Sequence, residues 1–281
     1  MRRIVLCCVL TGLLTAARAE AQQRPLVTED PETVGAGLVL IEAGVDYWHD
    51  IFYPVSGLTG HQLRLPTAGL SLGLSSIAEI QVDGGLYNRL TVSDRQDAPL
   101  SSRLSFEGDT TSSVVDLVIG TKIRLVSEGA GRPAIGVRVA TKLPTASSES
   151  GLGLDTIDFF TSLLIGKTIQ SIRVVGNIGV GILPDPTMGD RQNDVLTYGV
   201  SLARAVRQGF ELVGEVNGHF DMRDSDPPPG TDSRAAMRLG ARYTYNTVRV
   251  DGAAIIGMTS RDPSIGVTGG LTWVFRGFTI R

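Results

Sequence analysis

The run Val115-Asp116-Leu117-Val118-Ile119-Gly120-Thr121-Lys122-Ile123-Arg124-Leu125 decides the fold class of this chain. Val115, Leu117, Ile119, Ile123 and Leu125 share one face of an extended backbone. Asp116, Gly120, Lys122 and Arg124 share the other. That is the period of a strand. The same alternation recurs at Ile135 to Leu143, Ile172 to Ile182 and Val248 to Met258, and no segment carries a 3.6-residue apolar stripe. The expectation is an all-β chain.

Alternation alone fits two architectures. A soluble sandwich turns its apolar face inward, whereas a membrane barrel turns it toward lipid and keeps polar groups in the lumen. Connection lengths separate the two. The pattern predicts strands over 37–49, 62–74, 78–92, 113–126, 133–144, 156–167, 170–182, 194–206, 209–222, 234–245, 248–259 and 265–275. Long connections (50–61, 93–112, 145–155, 183–193, 223–233) alternate with short ones (75–77, 127–132, 168–169, 207–208, 246–247), and 260–264 is intermediate. An even strand number with short periplasmic turns and long outer loops characterises a transmembrane antiparallel up-and-down β-barrel. We therefore expect about twelve strands with both termini periplasmic. Pro66 cannot donate to a ladder, so a bulge or register change is expected there. Aromatic residues such as Tyr47, Trp48, Phe159, Phe160, Tyr243, Tyr245 and Trp273 fall near strand ends, where interfacial girdles need them.

The N-terminus reads as an export signal. Arg2 and Arg3 precede an apolar stretch from Ile4 to Ala16, and small-x-small cleavage sites end at Ala19 and Ala21. The expected organisation is a cleaved signal peptide at 1–21, a periplasmic N-terminal segment at 22–36 and an outer-membrane barrel at 37–281. Cys7 and Cys8 leave with the signal, which excludes disulfide, cysteine-metal and cysteine-nucleophile chemistry from the mature chain. Charge is modest at 20%, the net charge is −3, and no basic stripe suggests nucleic acid. No cofactor is expected. The expected partners are outer-membrane lipid and lipopolysaccharide, a small-molecule solute and the barrel-assembly machinery.

Strand parity assigns many charges to the lumen, Lys122, Arg89 and Arg234 among them. The selectivity candidates are Arg124, Arg138, Lys142, Glu211, Glu215, Arg238, Arg242 and Asp251. A turn at Asn246–Thr247 places Arg242 beside Asp251, and Glu211 and Glu215 then neighbour the Arg242 and Arg238 side of the next strand. Such a lumen is either a constriction that sorts solutes by charge and size or a salt-bridged filling. Twelve strands lie between a filled eight-strand barrel and an open porin, so both readings stay open.

His49, His61 and His219 lie near predicted outer strand ends, and no serine has a recognisable spacing from any of them. A serine-histidine hydrolase needs its base placed against the nucleophile, so no catalytic residue is expected. His49 and His61 flank one loop, but two histidines without a third ligand do not make a zinc site. The outer loops are acidic, with Asp94, Asp97, Glu107 and Asp109 in one, yet none has calcium-loop spacing.

Two segments resemble a known family. Arg24-Pro25-Leu26-Val27-Thr28-Glu29-Asp30 with Thr33-Val34-Gly35-Ala36-Gly37 is one. Lys142-Leu143-Pro144-Thr145 with Gly151-Leu152-Gly153 and Asp155-Thr156-Ile157-Asp158-Phe159 is the other. Their order and spacing resemble those of the outer-membrane transporters of the "MetA-pathway of phenol degradation" family. The resemblance implies a barrel that imports small solutes, hydrophobic or aromatic compounds among them. Such barrels commonly end on an aromatic assembly signal, whereas here Phe275 and Phe278 precede Thr279-Ile280-Arg281.

Overall fold

The structure, a computed structural model, describes residues 24–279; the expected cleavage sites Ala19 and Ala21 lie outside the described residues. Twelve strands follow in chain order: β1 (Leu38–Tyr53), β2 (Leu58–Gly73), β3 (Ala78–Arg95), β4 (Thr110–Val126), β5 (Ala134–Leu143), β6 (Asp158–Ile169), β7 (Ile172–Pro184), β8 (Gln192–Arg207), β9 (Phe210–Asp221), β10 (Arg234–Tyr245), β11 (Val248–Gly257) and β12 (Ile265–Arg276). Each pairs with its sequence neighbours, and β1 pairs with β12 from Leu38↔Arg276 to His49↔Ile265, closing an antiparallel barrel. Closure leaves no unpaired sheet edge.

The direction of the side chains is the decisive feature. Ile119, Leu125, Leu163, Val200, Leu239 and Leu271 are exposed outside, at 40–59%. Facing inward, Glu79, Gln81, Lys122, Glu215, Arg249, Asp251 and Thr272 are buried. The polarity is therefore inverted relative to a soluble sandwich, and the belt outside is a surface suited to hydrocarbon.

Tight turns join strands at the end where β1 begins and β12 ends. Gly209 makes one of them possible: its φ is +74°, and a Cβ there would sit 2.4 Å from the Thr244 carbonyl oxygen. Asn246 takes the same left-handed conformation between β10 and β11. The opposite end carries the longer loops.

Two local readings need correction, and the bulge expected at Pro66 is present. The expected loop 50–61 contracts to 54–57, because β1 and β2 run on. Asp50 at φ +54° and a register shift between Trp48 and Ile51 interrupt the alternation there, which hid the strand from the pattern. Pro66 does mark a bulge: the register passes from Gly44↔Thr67 to Asp46↔Arg64, leaving Leu65 and Pro66 opposite Val45. Arg89, expected in the lumen, is exposed, while Asn88 and Leu90 are buried. Irregular pairing of β3 with β4 between Asp83 and Asn88 reverses the parity.

At the loop end, Ile51, Leu58, Leu90, Val92 and Leu152 form an apolar cluster with Trp48, Tyr53, Leu104 and Phe106. Leu104 and Phe106 come from the β3–β4 loop and Leu152 from the β5–β6 loop, so both loops tuck against the inner wall.

Candidate functional site

Residues 22–36 were expected outside the barrel. The described part instead bonds to inward-facing groups of eight strands, and so lies within the lumen. Arg24 donates to the Thr67 and Thr268 hydroxyls at 3.1 and 3.0 Å and to the Gly269 carbonyl at 2.8 Å, with its Nε 3.5 Å from Asp251. The Val27 and Thr28 amides donate to the Glu215 carboxylate, each at 2.8 Å. The Glu29 backbone exchanges two hydrogen bonds with the Asn177 side chain. The Glu29 carboxylate meets Arg138 at 3.0 Å and Lys122 at 3.3 Å. Asp30 accepts from Arg173 Nε and Nη2, Glu32 pairs with Arg124, and the Val34 amide donates to Glu79 at 2.6 Å.

The wall leaves room for this segment. A Cβ on Gly44 or Gly270 would fall 2.2 or 2.4 Å from the Arg24 guanidinium group, so only glycine lets that side chain lie flat there. The sequence reading missed the segment because its own signal is short. Arg24, Glu29, Asp30 and Glu32 crowd into nine residues that belong to no strand. Charges of both signs before a charged lumen were the available clue.

All eight selectivity candidates reach the inner face. Arg124, Arg138, Glu215 and Asp251 touch the segment directly, as described. Arg238 pairs with Glu215 at 2.9 Å and Arg242 with Glu211 at 2.7 Å, the predicted cross-strand register. Arg242 is also the ladder partner of Asp251, as the turn predicts, and the Asp251 carboxylate lies 3.5 Å from Arg24 Nε. Lys142 lies nearer the loop end, 2.6 Å from Asp158. Lys122, fully buried between Glu29 and Glu79, is the most enclosed of the charges.

On the loop side of Val27–Glu29 lies a cavity of about 500 Å³. Trp48, Ile51, Phe160 and Leu164 give it apolar walls, and Arg64, Arg138, Arg234 and Arg238 give it cations, against Glu29 and Asp262. Arg64 went unremarked in the sequence, although Leu63 and Leu65 facing out imply that it faces in.

Two groups outside the strands have shifted carboxyls. Burial opposes ionisation of Asp185, but the Thr187 hydroxyl and amide, the Met188 amide and Arg191 outweigh it, holding the carboxyl below the usual aspartate range. Burial likewise works against Glu128, and the Thr168 amide with Arg173 and Lys167 overcomes it.

The histidines divide. His219 Nε2 lies 2.8 Å from the Asp232 carbonyl and lines the cavity. His49 and His61 stack at 4.4 Å, and with Asp50 their ligand atoms lie within 4.8 Å of one another. None of the three rings is hydrogen-bonded to a serine among the described residues.

No protein-family model matches the sequence, and no curated protein matches it. Solved structures do share the architecture. An outer-membrane channel from Pseudomonas putida F1 aligns with a TM-score of 0.59 at 15% identity, covering 88% of this chain and 98% of that one. The NanC porin aligns with a TM-score of 0.51 at 8% identity, covering 84% and 98%. At such identities the likeness is one of fold: a closed antiparallel barrel of nearly the same extent.

Proposed function

We propose that this protein is an outer-membrane channel that passes small solutes by diffusion through a charged lumen. The observation that carries this reading is the combination of an apolar exterior with a charged interior enclosing a cavity of about 500 Å³. The exterior suits hydrocarbon, and the even-stranded barrel with one looped end suits an outer membrane facing lipopolysaccharide. Export through a cleaved signal and barrel-assembly machinery is the matching route. The Arg238–Glu215 pair and the amides of Val27 and Thr28 belong to one charged constriction, with Arg138 and Glu29 beside it. Such a ring would sort solutes by charge and size. Membership of the phenol-degradation transporter family is part of the proposal, supported by the two quoted segments. So is a preference for hydrophobic or aromatic solutes.

Planar-bilayer recording of the purified barrel tests the channel reading. Discrete single-channel steps are expected, and Arg238→Ala should move the anion-to-cation permeability ratio toward cations. Unchanged permeability would remove the constriction from this account.

A second reading has its own observation. Every acidic side chain of Glu29, Asp30 and Glu32 is paired with the wall, which would equally suit a barrel filled for stability and used as an interaction scaffold. Absence of both conductance and liposome solute flux would select it.

A further inference from the structure

We infer that the loop-side cavity is a binding site for a small carboxylate with a flat apolar body, such as an aromatic acid. The inference rests on the channel reading and names its solute class. Two features of the cavity point to a ligand rather than to filling.

The first is charge. Arg138 and Arg238 are neutralised by Glu29 and Glu215. Asp262 keeps its negative charge while one of its oxygens accepts from the amides of Ala235 and Thr259 and the Thr259 hydroxyl, so the four lining arginines outnumber the two lining carboxylates, Glu29 and Asp262. Arg64 and Arg234 have no carboxylate partner among the described residues. Both line the cavity, Arg64 from β2 and Arg234 from the start of β10. Arg234 is also the ladder partner of His219.

The second is the pairing of those cations with apolar walls. Arg64 and Arg234 both line the cavity, and charge-assisted bonds from their guanidinium groups would hold a carboxylate there. The Trp48 ring, Phe160 and Leu164 offer apolar faces for the body of the same molecule.

The chain supplies its own reporter. It has two tryptophans, Trp48 in the cavity and Trp273 exposed on the outer face at 45%. In a Trp273→Phe background, benzoate added to the detergent-folded barrel should change the Trp48 emission saturably. Benzyl alcohol, of similar shape without charge, should bind about tenfold or more weakly, as should benzoate to Arg64→Gln and Arg234→Gln variants. Heat-modifiable gel mobility confirms that each variant is folded, and the comparison of two ligands needs no variant in the cavity at all. Equal affinity for benzyl alcohol and benzoate overturns the carboxylate assignment, as does no Trp48 response to benzoate. Planar-bilayer conductance is read separately. Binding without conductance defeats the channel reading and leaves the site. Conductance without binding defeats the site and leaves the channel.

Discussion

The two halves of the lumen are built on opposite principles. Toward the tight turns, charges are matched: Lys122 sits between Glu29 and Glu79, Arg173 grips Asp30, and Arg124 holds Glu32. Toward the loops, Arg64 and Arg234 face a cavity without an acidic partner, beside apolar walls. The first half spends its polar groups on holding the N-terminal segment. The second leaves Arg64 and Arg234 outside any ion pair, although Lys142 and Asp158 still pair there. Matched charges give structure, and unmatched ones give a place for something else to bind.

The sharpest break in that comparison is Lys122→Met. It removes the cation from between two buried carboxylates and should destabilise the barrel by roughly 3–5 kcal/mol, the range for stripping one partner from a buried pair. Urea unfolding in micelles, followed by gel mobility, measures it. A cost below about 1 kcal/mol would mean that water reaches this half freely, as at exposed pairs. Next in size is Gly270→Ala, which sets a methyl where the Arg24 guanidinium lies. The guanidinium, the free end of a flexible side chain, would move aside and give up its hydrogen bonds to Thr268 and Gly269, at about 1–2 kcal/mol. The cost should shrink in an Arg24→Ala background, because the two positions contact one another.

The fold was legible because one signal repeats: period-two alternation in twelve segments, with turn and loop lengths that alternate. Where the backbone departs from a regular ladder, the signal failed. Asp50 and the β3 irregularity broke the parity, which lengthened a loop on paper and put Arg89 on the wrong side. Ladder pairs such as Arg238 with Glu215 could be read, since a tight turn fixes the register. The lumen segment could not. Its partners lie as far as 245 positions away in the chain, and no local period records them. The cavity is likewise a product of which charges remain after all others have paired.

The loop end should also respond to acid. The depressed Asp185 carboxyl contributes stability that is complete above the ordinary aspartate value and is lost as pH falls through the lower value it has when folded. Asp185→Asn should therefore cost about 1 kcal/mol at neutral pH, and its deficit should begin to shrink below about pH 4, where unfolded aspartate protonates, and vanish only below the lower value of the folded carboxyl. Proteolysis of the 185–191 loop at pH 7 and at lower pH reads the difference. A deficit that persists in acid would assign the effect to the side chain's shape and not to its charge.

The smallest effect is the most discriminating. If Arg64 and Arg234 were structural, replacing either with Gln would strand a buried carboxylate, as Lys122→Met does. No carboxylate pairs with them, so Arg64→Gln and Arg234→Gln should shift unfolding by no more than about 0.5 kcal/mol, the range of substitutions away from packed features. A loss approaching that of Lys122→Met would show both halves of the lumen to be built alike. The contrast between matched and unmatched charge would then disappear, and with it the reason to expect an anion in the cavity.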